Sequence, residues 1–220
     1  YMTAKEEDIL TSSNLIEKGL VIDKLLESVI ANPKVKLDDL LIGDKNALML
    51  GTRVLGYGKE YVVEIEDPDT SLKVEFNVDL TTLESKKIDE ELFKSGENKF
   101  SFTLPHSKKT LEFKLLTHKD EQQVDATLKQ YSKIEKVTGV SSALTTRLKK
   151  QILSVDGETD IKVINDFVDN QFLALDTKAF RKHTVAITPD IIFETEYESQ
   201  IGELHTVNIP VGVGFFWPED

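Results

Sequence analysis

Three helical-period segments fill residues 2–58, and helices this short are marginal in water, so the rest of the chain has to supply a surface for them to pack on. The first opens on a capping box: Thr3 is followed three residues later by Glu6, and each side chain can satisfy a free amide of the first turn. After Gly19, Leu20, Ile22, Leu25, Leu26, Val29 and Ile30 recur at helical spacing between Asp23, Lys24, Glu27 and Ser28, until Asn32-Pro33 stops the run. Asp44 then caps a third segment whose apolar face is Ala47, Leu48, Leu50, Gly51, Val54 and Leu55, ended by Gly56 and Gly58.

Beyond Gly58 the period changes to two. Tyr61, Val63 and Ile65, then Leu72, Val74, Phe76 and Val78, alternate with polar residues around Asp67-Pro68-Asp69-Thr70-Ser71, which reads as a hairpin with a solvated surface turn. A charged stretch to Ser95 holds a short helix near Asp89–Phe93, ended by Gly96. A second hairpin pairs Phe100, Phe102 and Leu104 with Leu111, Phe113 and Leu115 across a loop in which His106 is a solvated residue. Whether the two hairpins share a sheet is left open by the pattern. Helices follow: Thr117 caps one bearing Val124, Leu128, Tyr131 and Ile134, Ser141 or Ser142 starts one bearing Leu144, Leu148, Ile152 and Leu153, and Asp156-Gly157 breaks it. Thr159 caps a helix bearing Ile161, Val163, Ile164, Phe167 and Val168, and Asp176 caps a short turn through Phe180 to His183. A third hairpin, Ile191–Tyr197 with Leu204–Ile209 around Gly202, closes the regular pattern. The expected class is α+β: N-terminal short helices, β-hairpins, a central helical insertion and a C-terminal hairpin. Residues 1–82 with 184–220 are expected to form one body and residues 83–183 the insertion, with an all-helical N-terminal module joined flexibly to a β module as the competing arrangement.

Several stretches resemble the baseplate hub and assembly family of T-even-like contractile phages. They are Tyr-Met-Thr-Ala-Lys-Glu-Glu-Asp-Ile-Leu-Thr-Ser (1–12), Ile-Asp-Lys-Leu-Leu-Glu-Ser (22–28), Asp-Asp-Leu-Leu-Ile-Gly-Asp-Lys-Asn-Ala (38–47), Leu-Gly-Tyr-Gly (55–58) and Phe-Phe-Trp-Pro-Glu-Asp (215–220). The resemblance covers both ends and is looser from Leu83 to Asp176. It implies a protein that helps build the central hub of a contractile tail, with other tail and hub proteins as partners; the expected location is the host cytoplasm during assembly, and the resemblance leaves open whether the protein is then retained in the virion baseplate. The alternative it leaves is an assembly chaperone of the tape-measure protein or a hub intermediate, absent from the finished virion. The family often carries a Cys-Pro-x-Cys knuckle at the first hairpin turn and a cysteine pair at the third. Here Asp67 and Thr70 occupy the first, and Tyr197-Glu198-Ser199-Gln200-Ile201-Gly202 the second, so both turns are expected to hold without zinc. Tyr1 is not an initiator Met and stands directly before a helix cap, which suggests residues upstream.

The chemistry in the chain points the same way. There is no cysteine, and the Gly-x-x-x-x-Gly-Lys-Ser/Thr, Gly-x-Ser-x-Gly and His-Glu-x-x-His patterns are absent. His106, His118, His183 and His205 are far apart, and in so acidic a chain paired carboxylates arise by chance, so a carboxylate-dependent hydrolase is the weakest reading. Glu6-Glu7-Asp8 has a structural explanation at a helix N-terminus. With 27 Lys+Arg against 39 Asp+Glu, net charge -12, the surface is wrong for nucleic-acid phosphates. No apolar run reaches membrane-spanning length and no signal-peptide pattern is present, so neither nucleic acid, membrane, small-molecule substrate nor cofactor is expected. An assembly protein needs exposed apolar area, and the expected interface is Leu25, Leu26 and Val29 on the N-terminal helices with Phe215, Phe216 and Trp217 of the tail. The tail is expected to pack on a platform of Leu25, Leu26, Val29, Leu48 and Leu55, with Trp217→Ala costing about 3 kcal/mol.

Overall fold

The chain divides into two units. Unit 1 is discontinuous, Tyr1–Leu37 with Gly43–Lys86 and Asp190–Asp220, and unit 2 holds Asp38–Ile42 and Lys87–Pro189. The computed structural model describes residues 2–94 and 96–217, without the side chains of Lys133, Ile134, Glu135, Thr138 and Val213. Tyr1, Ser95, the final Pro218-Glu219-Asp220 and the Ile134 side chain therefore lie outside the described residues. The elements run α1 (Ala4–Leu10), α2 (Ser13–Glu17), α3 (Val21–Val29), α4 (Ile42–Tyr57), β1 (Glu60–Glu66), β2 (Lys73–Asp79), β3 (Phe100–Thr103) and β4 (Thr110–Phe113). After these come α5 (His118–Thr138), α6 (Ala143–Gln151), β5 (Ile152–Val155), α7 (Ile161–Asp166), α8 (Ala174–Ile187), β6 (Glu194–Glu198) and β7 (Leu204–Asn208). The class is α+β, as the alternating periods predict.

In unit 1 the expected capping box is present: Glu6 accepts the Thr3 N–H at 2.8 Å, and the Thr3 hydroxyl accepts the Lys5 N–H at 3.3 Å. The run before Gly19 is two helices rather than one, broken at Thr11-Ser12. Helix α4 begins at Ile42, two residues before the expected cap. Asp44 lies in the first turn, where its charge meets the helix dipole. Gly58 ends the helix by taking φ to +86°, a conformation open to glycine, while its N–H reaches the Val54 carbonyl at 3.1 Å.

Arg53 ties this helix end to the next strand. Its guanidinium is buried, donates to the Gly58 carbonyl at 2.9 Å and the Glu60 carbonyl at 3.0 Å, and lies over the rings of Tyr57 and Tyr61. Burial lowers its pKa from the usual arginine value. Arg53→Met is expected to cost about 2–3 kcal/mol, read as a lower urea midpoint at unchanged slope. Arg53→Lys recovers little, because one ammonium lacks the fork that reaches both carbonyls.

Strands β1 and β2 pair antiparallel with Val63 opposite Phe76 and Tyr61 opposite Val78, and β6 pairs with β7 with Tyr197 opposite His205. Val63, Val78 and Ile209 form a buried cluster, with Tyr61, Ile65, Phe76, Leu83 and Phe193 packed against it.

Unit 2 is built on a three-stranded sheet in the order β3-β4-β5. The hairpins at 60–79 and 100–113 thus lie in different sheets. Ile152 and Leu153, expected on a helix stripe, are strand instead: α6 ends at Gln151, and Phe113 pairs with Ile152. The core around Phe113 takes Leu104, Leu111, Ile152, Val155, Phe167 and Phe180. Helix α7 is capped by Asp160, which accepts the Lys162 N–H at 2.8 Å, one residue beyond the expected Thr159. Helix α8 is a full helix rather than the expected short turn. Asp176, expected as its cap, is buried inside the first turn and accepts the N–H groups of His106 at 2.8 Å and Ser107 at 3.0 Å, which fixes the β3–β4 turn.

Candidate functional site

Helices α3 and α4 are joined by an ion pair from Lys45 to Asp23 at 2.7 Å. On α4, Ala47, Leu48, Gly51, Thr52 and Leu55 recur at three- and four-residue spacing along one face, and with Val29 of α3 and Met2 they line an open groove of about 210 Å³. The groove is mostly apolar. Leu55 leaves 62 % of its surface exposed there, while Val29 and Leu48 are half-buried.

The expected interface residues fall into two groups. Leu25 and Leu26 are fully buried under the short helices, whereas Val29 opens into the groove. In the tail Phe215 and Phe216 are buried and Trp217 is 39 % exposed. Phe215 lies edge-on to Tyr61 at 5.0 Å and to Phe193 at 6.4 Å, and touches Phe216 at 5.5 Å. The tail therefore folds back, with Phe215 packed on Tyr61 and Phe193, and none of Phe215, Phe216 and Trp217 lines the groove of Leu48 and Leu55.

The turn after β1 departs most from expectation. Asp67, expected in a solvated turn, has no exposed surface. One carboxylate oxygen accepts the N–H groups of Asp69 and Thr70, both at 2.9 Å, and the other accepts the Tyr197 hydroxyl at 2.7 Å and the Gln200 N–H at 3.3 Å. A single side chain therefore clamps the β1–β2 turn to the β6–β7 turn. Burial alone would raise its pKa, but the hydrogen bonds outweigh it and hold Asp67 well below the usual carboxylate range. The partner Tyr197 is pushed up to about 12 by its bond to that anion and by burial. Asp69 adds a second tie, 2.8 Å from His205 Nε2, and hydrogen bonds from Ser199 and His205 lower its pKa. Nothing in the local pattern signals the clamp, because the donors that join the two turns, Tyr197 and Gln200, lie on a hairpin about 130 residues away.

These turns do not fit the zinc that the knuckle positions imply. Both Asp67 oxygens are saturated by N–H and O–H donors, there is no thiolate, and no group of three or more His, Asp or Glu able to hold a metal exists among the described residues. Nor do Ser199, Asp69 and His205 make a nucleophilic triad, since the serine bonds the carboxylate rather than the imidazole that would have to take its proton. In unit 2 a groove of about 270 Å³ between α5 and α6 is lined, among the described residues, by Gln123, Val124, Thr127, Tyr131, Thr146, Lys149 and Lys150, and these include no carboxylate or histidine to act as acid and base. Among the described residues no helix is long and apolar enough to cross a membrane.

Residues 1–208 match the family described as T4 bacteriophage base plate protein, a span that runs through β7 and stops before the aromatic tail. No curated protein and no solved structure matches the chain. With nearly its whole length matched, the chain belongs to the T4 bacteriophage base plate protein family.

Proposed function

We propose that the chain is a non-enzymatic component of the baseplate hub that acts in contractile-tail assembly through protein–protein contacts and stays in the virion after assembly in the host cytoplasm. The observation that carries this is the groove of Met2, Val29, Leu48 and Leu55. It is an apolar surface on the helices that bear the strongest family resemblance, left open in the free chain. Within the expected interface, Val29 and Trp217 are the accessible members, whereas Leu25, Leu26, Phe215 and Phe216 are buried in the free chain. The partners that fit are other tail and hub proteins.

Mass spectrometry of purified virions tests retention: a fixed ratio to other baseplate proteins is expected, and its absence from virions that require it for assembly would make it a departing chaperone. Leu55→Lys is expected to leave melting within about 1 °C, because the side chain is mostly exposed, and to lower incorporation about tenfold. Normal incorporation of this variant would take the groove out of the interface.

A further inference from the structure

The clamp brings together two turns that each expose a large aliphatic side chain. Leu72 follows Ser71, which holds φ at +56°, a costly conformation for a residue with a Cβ, and the Leu72 carbonyl accepts the Asp67 N–H at 2.8 Å. Across the clamp, Ile201 follows Gln200, whose N–H is held by Asp67, and Leu204 begins β7. The second turn is closed by the Ser199 N–H on the Glu203 carbonyl at 2.8 Å and by Gly202 at φ +87°. Leu72 is 56 % exposed, and Ile201 and Leu204 are each 67 % exposed. Glu66 precedes Asp67, Glu198 lies opposite Leu204 in the register and Glu203 precedes it; all three are exposed and no ion pair is found for them among the described residues, the Lys73 opposite Glu66 pairing with Glu64 instead.

We propose, resting on the reading of the chain as a baseplate component, that the joined turns form a docking knob. Leu72, Ile201 and Leu204 enter an apolar pocket on a partner protein, and Glu66, Glu198 and Glu203 meet lysines or arginines at its rim. The clamp makes the knob effective, because both turns are already ordered and little conformational freedom is lost on docking. Charge selects the partner. A second copy, at net charge -12, would bring carboxylates against carboxylates, and an anionic bilayer would repel the rim.

The test supplies the full chain in trans to an infection by a phage lacking it and counts copies per purified tail. Leu72→Ser/Ile201→Ser/Leu204→Ser is expected to melt as the parent does and to fall about tenfold or more in incorporation. Glu66→Lys/Glu198→Lys/Glu203→Lys is expected to fall similarly. If the triple serine variant loses its melting transition, Ile201→Ser alone, at an open turn, carries the same test. Parent-level incorporation of the serine variant overturns the knob while leaving the baseplate reading intact. If the parent chain is neither in tails nor required for them, both fall. Parent-level incorporation of the lysine variant overturns the basic rim. Cosedimentation of the parent with phosphatidylcholine vesicles, lost in the serine variant, would assign the turns to a bilayer and also overturn the proposal.

Discussion

Phe215→Ala/Phe216→Ala is expected to unfold unit 1. Both rings are buried, and truncating a buried phenylalanine costs about 3–5 kcal/mol. The two rings touch, so their costs do not simply add, and about 6 kcal/mol is expected for the pair. That approaches the whole stability of an ordinary domain, about 5–15 kcal/mol. Circular dichroism melting reads the result: unit 1 should lose its transition while the helix-rich unit 2 keeps its own. Trp217→Ala should cost only about 1 kcal/mol, below the figure appropriate to a buried ring, because 39 % of Trp217 is already exposed. If the double variant melts like the parent, the tail does not hold unit 1 together.

Asp67→Ala is expected to lower the melting temperature by roughly 10 °C, since it strands a buried hydroxyl and three N–H groups without an acceptor. The pH dependence separates this from ordinary cavity formation. Asp67 has a folded pKa below its unfolded value, so its contribution is present above the ordinary carboxylate range and fades as pH falls below about 5. Tyr197 is shifted the other way. Its contribution is complete below an ordinary phenol pKa of about 10. That contribution is lost as pH rises through the folded value of about 12. Asp67→Asn, nearly the same shape without the charge, should flatten both limbs and return Tyr197 toward an ordinary phenol, followed by tyrosinate absorbance. A Tyr197 titration unchanged in Asp67→Asn would refute the assignment of the shift to this carboxylate.

Elements whose cause is local are legible in the sequence itself. The Thr3–Glu6 capping box, the α3 stripe ending before Asn32-Pro33, and the three hairpins around their turn residues each follow from neighbours within a few positions. The features that periodicity misses depend on distant partners. Ile152 and Leu153 continue a helical stripe, yet the free edge of β4 recruits them into a strand. Asp176 has the look of a cap but spends its lone pairs on a turn 69 and 70 residues earlier. Asp67, in turn chemistry that usually faces water, is buried by a hairpin that periodicity cannot place beside it. The residues expected at an interface are legible as apolar but not as accessible or buried, since that distinction belongs to packing.

The discontinuity of unit 1 sets an order on its synthesis. Asp67 leaves the ribosome 130 residues before Tyr197, an interval on the order of ten seconds. Throughout that interval Val63 and Val78 wait for Ile209 to cover them, while Lys87–Pro189 of unit 2 emerges in between. A nascent chain therefore carries a finished unit 2 while unit 1 is still half-made, with an open apolar face. Any message cut or stalled ahead of the codon for Tyr197 yields a product that cannot close its clamp and leaves unit 1 open to proteolysis.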